Sequence, residues 1–424
     1  MPREELARAA DVVQQAKGII ACWAMGITQH KHAVANVQQI ANLLLLRGSI
    51  GRPGAGPCPV RGHSNVQGDR TMGVWEKVPR WIDALEREAS FTAPREEGMD
   101  TVGALEALID GRLDVLVCLG GNLLSAGPDT ERAADGFRRA ALTVMIGTKL
   151  NRSMVVTGRE ALILPCLGRT ERDVQDGVAQ VVTVEDSMSM VHASQGHLEP
   201  ASPDLRSEVA IVCGIAGAAL AGRSEVPWSE LPRDYRRIRA MIERVVPGFE
   251  RYEERVHVPG GFRLPSPVND RAFPTATGRA RLTVHPIPRF DLAPGQLVMM
   301  TIRTHDQFNT VVYDVDDRYR GLHRARNAVL VHPDDLAARG LEAGDRVSIT
   351  SHFRGETRTV HGFVCVAYAI ARGSCATYFP EANALVPLGS YADGSRTPTS
   401  KSVIVSLRRD ERPVERDAAI TPSP

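Results

Sequence analysis

The chain has 424 residues, roughly two to three times the length of a typical domain, which predicts at least two hydrophobic cores. Apolar residues make up 43% and charged residues 24%, a balance typical of globular proteins that excludes disorder over most of the chain. Lys and Arg total 51 against 50 Asp and Glu, and this near-neutral balance argues against nucleic acid as a partner.

Local features argue against several further classes of protein. The longest apolar stretch, 211–221, is interrupted by glycines and is too short to cross a bilayer. The charged N-terminus lacks the apolar core of a signal peptide, so a cytoplasmic protein is expected. The seven cysteines are widely spread and include no C-x-x-C pair. They predict reduced, mostly buried thiols and no zinc or iron–sulfur site formed within this chain.

The first third of the chain alternates helix and strand patterns. Apolar spacing predicts a helix over 4–16, a short buried strand over 19–23, and a second helix over 30–47 that ends at Gly48. The segment from Gly48 to Val60 holds four glycines and three prolines, so it can be neither a helix nor a central strand. It leads into a polar run from Arg61 to Asp69.

An α/β unit follows. A helix capped by Asp100 or Thr101, a strand over 114–119, a helix over 128–140, and strands over 142–146 and 162–165 predict a parallel sheet covered on both faces. Polar loops at 120–122 and 147–152 come directly after two of these strands. Ligands of such sheets bind beyond the carboxyl ends of the strands, so both loops are candidate ligand sites. A plain structural turn is the alternative for Gly120-Gly121-Asn122.

The last third changes character. A charged surface helix is predicted over 233–245, and a Pro-, Gly- and Arg-rich segment over 259–288 is interpreted as a link between domains. Short strands are then predicted over 297–302, 328–331, 346–351, 357–366 and 403–406, with one short helix after His332 that Gly340 ends. Several short strands with turn signals favour a closed β-barrel.

Several polar residues are candidates for chemistry. Arg61 has the side chain that binds a carboxylate through paired hydrogen bonds, and His63 has one that can transfer a proton near neutral pH; a solvated polar loop is the alternative. His305 has no second metal ligand at a familiar spacing, which favours a hydrogen-bonding or structural role. No G-x-S-x-G elbow accompanies Ser64, and no phosphate loop or G-x-G-x-x-G follows the first strand, which argues against a hydrolase and an NAD-type dehydrogenase.

Several motifs resemble the molybdopterin oxidoreductases, in particular the formate dehydrogenase alpha-subunit-like branch. The most specific is P-V-R-G-H-S-N-V-Q-G over 59–68. The others are C-W-A-M-G-I-T-Q-H over 22–30, N-L-L-L-L-R-G over 42–48, G-R-P-G-A-G over 51–56, F-P-T-A-T-G-R over 273–279, and H-P-D-D over 332–335 followed by G-L-E-A-G-D over 340–345.

The resemblance implies an α/β fold in which parallel-sheet dinucleotide-binding domains precede a C-terminal six-stranded, double-psi-like β-barrel. It divides the chain into the end of a molybdopterin-binding α/β domain at 1–60, an α/β dinucleotide-binding domain at 61–255, a linker at 256–294, and a molybdopterin dinucleotide-binding barrel at 295–424.

The resemblance also implies a cofactor and a reaction. The cofactor is bis-molybdopterin guanine dinucleotide with molybdenum or tungsten, and the reaction is a two-electron oxidation of formate or a similar small substrate. Arg61 matches the arginine that orients formate, His63 stands beside it as a second candidate catalytic residue, and Gly62 lets the pterin approach. The residues expected near one guanine dinucleotide are Gly120, Gly121, Asn122, Thr148 and Lys149. Those expected near the other are Arg303, His305, Gln307, Asn309, Asn383 and Lys401.

The chain also departs from the family pattern. Formate dehydrogenases usually have glutamine where His63 stands. Family chains extend much further at the N-terminus, where they carry the cysteines of a 4Fe–4S cluster and the metal-ligating Cys or selenocysteine. This chain is therefore expected to be the C-terminal portion of such an enzyme, needing a separate N-terminal polypeptide or electron-transfer subunit. The alternative is a non-catalytic cofactor-binding remnant.

Overall fold

A computed structural model describes residues 2–323 and 326–410. The chain begins with α1 (Arg3–Gln15), β1 (Ile20–Trp23), α2 (Met25–Thr28), α3 (Ala33–Leu46) and β2 (Gly56–Pro59). β1 and β2 form a parallel two-stranded sheet in which Cys22 lies opposite Cys58. The Gly56 amide donates to the Ile19 carbonyl, just before β1, and the Val60 amide donates to the Trp23 carbonyl at its end. Pro57 and Pro59 alternate with these donors, so their missing N–H groups fall on the open edge. The segment is thus an edge strand, as its prolines require.

The predicted α/β unit with its parallel sheet is confirmed, but its first strand is exposed on one face rather than covered on both. After α4 (Val66–Thr71) and α5 (Ile82–Ala89) come α6 (Thr101–Ile109), β3 (Val115–Leu119), α7 (Leu123–Ala126), α8 (Thr130–Arg139), β4 (Leu142–Gly147), α9 (Arg152–Val155) and β5 (Glu160–Pro165). The three strands pair in parallel in the order β3-β4-β5. The Asp100 carboxylate accepts a hydrogen bond from the Gly103 amide at 2.8 Å and caps α6. Leu105, Leu108, Phe137 and Met145 pack α6 and α8 onto one face of the sheet.

The middle of the chain carries an antiparallel sheet that the sequence analysis does not predict. Its elements are β6 (Val174–Gln175), β7 (Val178–Ala179), β8 (Val182–Glu185), β9 (Met190–Ser194), α10 (Glu208–Ala219), a 3₁₀ turn (Leu231–Arg233), α11 (Tyr235–Val245), α12 (Tyr252–Val256) and β10 (Phe262–Arg263). The sheet has the order β10-β9-β8. An aromatic cluster covers it, with edge-to-face contacts from Tyr252 to Phe249 at 4.7 Å and to Phe262 at 5.7 Å between ring centroids.

The C-terminal region is a closed six-stranded barrel, as predicted. Its elements are β11 (Gln296–Ile302), β12 (Gln307–Phe308), β13 (Val311–Val312), β14 (Ala328–Val331), α13 (Pro333–Ala337), β15 (Arg346–Phe353), β16 (Glu356–Ala367), β17 (Ser374–Tyr378), a 3₁₀ turn (Glu381–Leu385) and β18 (Val403–Arg409). The barrel has the order β11-β17-β14-β16-β15-β18, and Leu297, Met299, Val329, Val347 and Val405 fill it. β17 was not predicted, because Ser374, Cys375 and Ala376 give it no strong strand signal.

No helix or strand lies between Arg263 and Gln296, the region interpreted from the sequence as a link. The division into domains stays a prediction, and its final stretch, 411–424, lies outside the described residues. Among the described residues, no helix is both long enough and apolar enough to cross a bilayer.

Candidate functional site

Arg61 follows directly on the last hydrogen bond of the β1–β2 ladder. The Val60 amide donates to the Trp23 carbonyl at 2.8 Å, which fixes the chain up to that point. The exposed Arg61 side chain then donates from Nη2 to Gln67 Oε1 at 2.9 Å. Among the described residues no carboxylate pairs with this guanidinium. Its charge is therefore available to an external anion.

His63 connects this loop to the barrel. Its ring centroid lies 4.9 Å from that of Phe308, and its Nε2 lies 3.4 Å from Asn309 Nδ2. Phe308 ends β12, and Asn309 follows in the left-handed region with φ 48°. The structure thus brings together two residues predicted from separate motifs, His63 and Asn309. The neighbouring Ser64 hydroxyl accepts a hydrogen bond from Arg169 at 3.2 Å rather than pairing with His63.

The buried residue Glu185 holds the same loop in place through hydrogen bonds. Glu185, at the end of β8, accepts a hydrogen bond from Thr71 Oγ1 at 2.5 Å, and its amide donates to Asn65 Oδ1 at 3.0 Å. Asn65 itself has φ 65°, a conformation that Asn tolerates better than most residues. Burial raises the pKa of the Glu185 carboxyl above its ordinary value. Sequence reasoning missed Glu185, since no motif surrounds it.

The loops after β3 and β4 meet at the carboxyl edge of the parallel sheet. Gly120 and Gly121 both have positive φ, 68° and 70°, which a side chain would disfavour. Asn151 Nδ2 donates to the Gly121 carbonyl at 3.0 Å, and Ser153 Oγ lies 3.0 Å from Asn122 Oδ1. Asn151 lies in the loop predicted as a ligand site, whereas Ser153, just beyond it, was not predicted. Thr148 and Lys149 lie exposed on the second loop, so the two predicted loops do form one edge.

Lys401 and Arg303 form a pair of cations beside the N-terminal segment. Lys401 Nζ donates to the Thr301 carbonyl and lies 3.4 Å from Thr301 Oγ1. The Lys401 amide donates to the Gln29 carbonyl at 3.0 Å, and Arg303 Nη1 lies 3.8 Å from Met25 Sδ. The Arg303 guanidinium stacks 4.4 Å from the Phe379 ring centroid.

The electrostatics of this pair are unusual because no acid compensates it. Neither side chain pairs with a carboxylate among the described residues, and Arg303 Nε is buried without a hydrogen-bond partner. Burial, with the charge of Arg303 adding to it, lowers the pKa of Lys401 to about 8. Burial also lowers the pKa of Arg303. Two cations with a free donor are suited to a phosphate group, which accepts several charge-assisted hydrogen bonds.

The remaining candidates already have partners within the protein. Gln307 Nε2 donates to the carbonyls of Asn309 and Phe379 at 2.7 and 2.6 Å. The buried Asn383 amide donates to the carbonyls of Ser125, at 3.1 Å, and Gly127, so it joins the barrel to the α/β unit.

His305 belongs to a small ionic network on the barrel surface. Its Nδ1 lies 3.2 Å from Asp306 Oδ1 and 3.1 Å from Arg318 Nη2, and its ring contacts Tyr319 edge-to-face. No cluster of three or more potential metal-ligating side chains occurs in the parts of the chain that the structure describes. His305 is thus hydrogen-bonded, the role that the sequence favoured for it.

Comparison with known proteins identifies the barrel. Residues 297–404 match the family model described as "Molydopterin dinucleotide binding domain". That range begins one residue inside β11 and ends within β18, so the matched family and the closed barrel coincide.

Curated relatives extend the similarity to nearly the whole chain. "Uncharacterized oxidoreductase Rv2900c" of Mycobacterium tuberculosis is 50% identical over 410 residues, covering 95% of this chain and 53% of the relative. "Protein YdeP" of Escherichia coli (strain K12) is 43% identical over 417 residues, covering 96% of this chain and 54% of the relative. "Putative formate dehydrogenase YrhE" of Bacillus subtilis is 26% identical over 185 residues, covering 41% and 18%.

The chain therefore spans about half the length of the first two of these relatives. Both the barrel and the motifs that precede it have counterparts in proteins named as oxidoreductases. The C-terminal barrel is a molydopterin dinucleotide binding domain, and nearly the whole chain is similar to proteins named as oxidoreductases.

Proposed function

We propose that this chain binds bis-molybdopterin guanine dinucleotide and serves a two-electron oxidation of formate or a similar small anion. The observation that carries the proposal is the Lys401–Arg303 pair, which is uncompensated by any described acid and has a buried Arg303 Nε without a partner. A phosphate of the dinucleotide would supply the missing anion. Gly62 and Gly121 support the fit, since nothing lies within 4 Å of where a side chain would begin at either position.

In this proposal, separate residues bind the cofactor, bind the substrate and accept the proton. Lys401 and Arg303 hold one dinucleotide phosphate, and the edge formed by 120–122 and 148–149 holds the other dinucleotide. Arg61 binds the carboxylate of the substrate through paired hydrogen bonds and fixes its orientation. Formate oxidation releases one proton and two electrons. Asn309 Nδ2, a donor, faces His63 Nε2, so this nitrogen holds the lone pair of the neutral imidazole and accepts the proton. The cofactor, when bound, supplies a metal centre that accepts the electrons.

The proposal includes a second polypeptide region. We infer that a further N-terminal region or an electron-transfer subunit supplies the metal ligand and a 4Fe–4S cluster. Its support is the length of the relatives, about twice that of this chain. The edge strand β3 adds to it, because Val115, Val117 and Leu119 are 52%, 51% and 53% exposed on one face of the sheet.

The test is formate-dependent dye reduction by this chain after co-expression with the N-terminal half of a close relative in cells that make the cofactor. Arg61→Ala is expected to lower kcat/KM for formate by about 100-fold or more, because a charge-assisted bidentate contact is lost. Arg80→Ala is the matched control, since that arginine is exposed and has no role in the proposal. Formate oxidation that is normal in Arg61→Ala would refute the role of Arg61. Bound pterin without turnover would favour the cofactor-binding remnant.

A further inference from the structure

Cys22 and Cys58 lie opposite each other on neighbouring parallel strands. The register of β1 and β2 pairs them directly. Side chains at registered positions project from the same face of a sheet, and strands are spaced by about 4.8 Å. That spacing falls within the Cα–Cα range of roughly 4.4–6.8 Å found for disulfides. Both residues are free thiols, so the strands hold a dithiol in position to close.

These thiols differ in exposure from four of the other five cysteines; Cys118 is partly exposed, but burial raises its pKa to about 11. Cys22 is exposed and Cys58 is partly exposed, whereas Cys166, Cys213, Cys365 and Cys375 are buried. Burial raises the pKa of Cys365 and Cys375 to about 12, which keeps them protonated and unreactive. Burial and the neighbouring thiol also raise the pKa of Cys58. Cys22, the more exposed of the pair, is therefore the thiol that a reagent meets first.

A basic cavity lies beside the pair. It measures about 660 Å³, includes Cys58 in its wall, and is also lined by Arg52 and Arg263. No acidic residue lines it, and neither arginine forms an ion pair among the described residues. A small molecule that carries carboxylates suits such a cavity in both charge and size.

We propose that Cys22 and Cys58 are a redox-active dithiol, oxidised by a small anionic disulfide such as glutathione disulfide. The Cys22 thiolate attacks one sulfur of the reagent, forms a mixed disulfide, and releases one thiolate. The Cys58 thiol then loses its proton and attacks Cys22 Sγ, which releases the second thiolate. In total two protein thiols lose two electrons and two protons, one Cys22–Cys58 bond forms, and one reagent disulfide becomes two thiols.

The bond would act close to the predicted substrate site. It links β1 to β2 through a covalent bridge, and Arg61 follows β2 immediately after the last ladder hydrogen bond. Oxidation would therefore fix the strand from which the Arg61 loop begins. The proposal depends only on the two strands and the cavity, so it holds or fails independently of the proposed oxidoreductase function.

The experiment treats the reduced full chain with glutathione disulfide and maps its cysteines by mass spectrometry. The expected product has lost two hydrogen atoms and joins the tryptic peptides 18–31 and 48–61, which contain Cys22 and Cys58. Cys58→Ser should instead trap glutathione on Cys22, at a level roughly tenfold or more above the wild type, because the nearby resolving thiol is gone. Cys118→Ser is the matched control and should give the wild-type crosslink.

Two comparisons keep the test decisive. Arg52→Gln should slow oxidation by glutathione disulfide but not by neutral hydroxyethyl disulfide, since only the first reagent uses the basic cavity. Far-UV circular dichroism confirms that each variant is folded. A crosslink through any other cysteine, glutathione that persists on Cys22 in the wild type, or no reaction at either thiol would each overturn the proposal.

Discussion

Replacing Lys401 by methionine is expected to stabilise the ligand-free chain at pH 7 and, at the same time, to weaken its binding of a nucleoside diphosphate. Burial lowers the pKa of Lys401 from 10.5 to about 8, so the folded state binds this proton less tightly than the unfolded state. At about 1.4 kcal/mol per pKa unit, the charged amine lowers the free energy of unfolding by about 3 kcal/mol below pH 8. Methionine has a similar length and removes that penalty.

A smaller term opposes the gain. Lys401 donates to the Thr301 carbonyl, and Thr301 is buried, so methionine leaves this acceptor without one of its donors. An unsatisfied buried acceptor costs about 1–2 kcal/mol. The net stabilisation at pH 7 is therefore about 1–2 kcal/mol. Above pH 10.5 the wild-type lysine is neutral in both states, only the opposing term remains, and the variant becomes the less stable protein.

The assay is urea unfolding of both proteins between pH 7 and 10, with the difference in unfolding free energy as the readout. Buried thiols such as Cys365 also make stability depend on pH in this range, because they ionise near pH 9 only in the unfolded state, whereas folding raises the pKa of Cys365 to about 12. Their contribution is the same in both proteins and cancels. Lys17→Met, at an exposed lysine, is the control and should change stability by less than about 0.5 kcal/mol.

The second part of the prediction, weaker binding of a nucleoside diphosphate, is measured separately. Titration calorimetry with guanosine diphosphate, a stand-in for one end of the cofactor, should show at least about tenfold weaker binding to Lys401→Met, because a charge-assisted contact to phosphate is lost. If Lys401 served only to stabilise the fold, its substitution would lower the free energy of unfolding and leave the affinity for guanosine diphosphate unchanged. Either a destabilised variant at pH 7 or unchanged affinity would refute the reasoning.

Three further predictions concern the supports of the site. The pKa of Glu185 is raised above 4.5, so the folded state keeps a proton that the unfolded state loses, and the free energy of unfolding falls as pH rises above that value. Glu185→Gln should remove this pH dependence in urea unfolding. An unchanged pH dependence would contradict the prediction. Asn383→Ala should lower the free energy of unfolding by about 1–3 kcal/mol, measured in urea, since two carbonyls of the α/β unit lose their donor. Ser153→Ala should lower it by about 1–2 kcal/mol, measured in urea, because the Leu124 amide loses its acceptor and Asn122 Oδ1 loses a donor.

Much of the fold follows from local patterns. The period of apolar residues located α6, β3, α8 and β4, and the barrel strands β11, β14, β15 and β16 were predicted within a few residues. α10 was missed because its residues are apolar on nearly every side, which removes the amphipathic signal, although Ser207 caps it through a 3.2 Å bond from the Ala210 amide. The β8–β9–β10 sheet was missed because its strands are short and β10 joins them from about 70 residues away.

Some residues of the candidate site could likewise be predicted from the sequence, and others could not. Arg61, His63 and the loops after β3 and β4 stand in continuous motifs, so the sequence locates them. The electrostatic effect of Arg303 on Lys401 depends instead on β11 pairing with β18, which sets Met299 opposite Val403 and brings together residues about one hundred positions apart. Glu185 and Ser153 could not be predicted from motifs either, because only the folded chain brings them into hydrogen-bond contact with Thr71 and Asn122.

The charges of the chain give the strongest physical argument for an anionic cofactor. Acidic and basic residues are nearly equal in number, and many described arginines form an ion pair with a carboxylate, including the largely buried Arg239 and Arg326. An exposed guanidinium without a partner, such as that of Arg61, costs little, so its freedom is weak evidence alone. Lys401 and Arg303 are different, because burial lowers the pKa of both and an uncompensated buried cation destabilises the fold. Arg239 and Arg326 have carboxylate partners, whereas Lys401 and Arg303 have none among the described residues. A phosphate bound beside Lys401 and Arg303 would supply the negative charge that they lack.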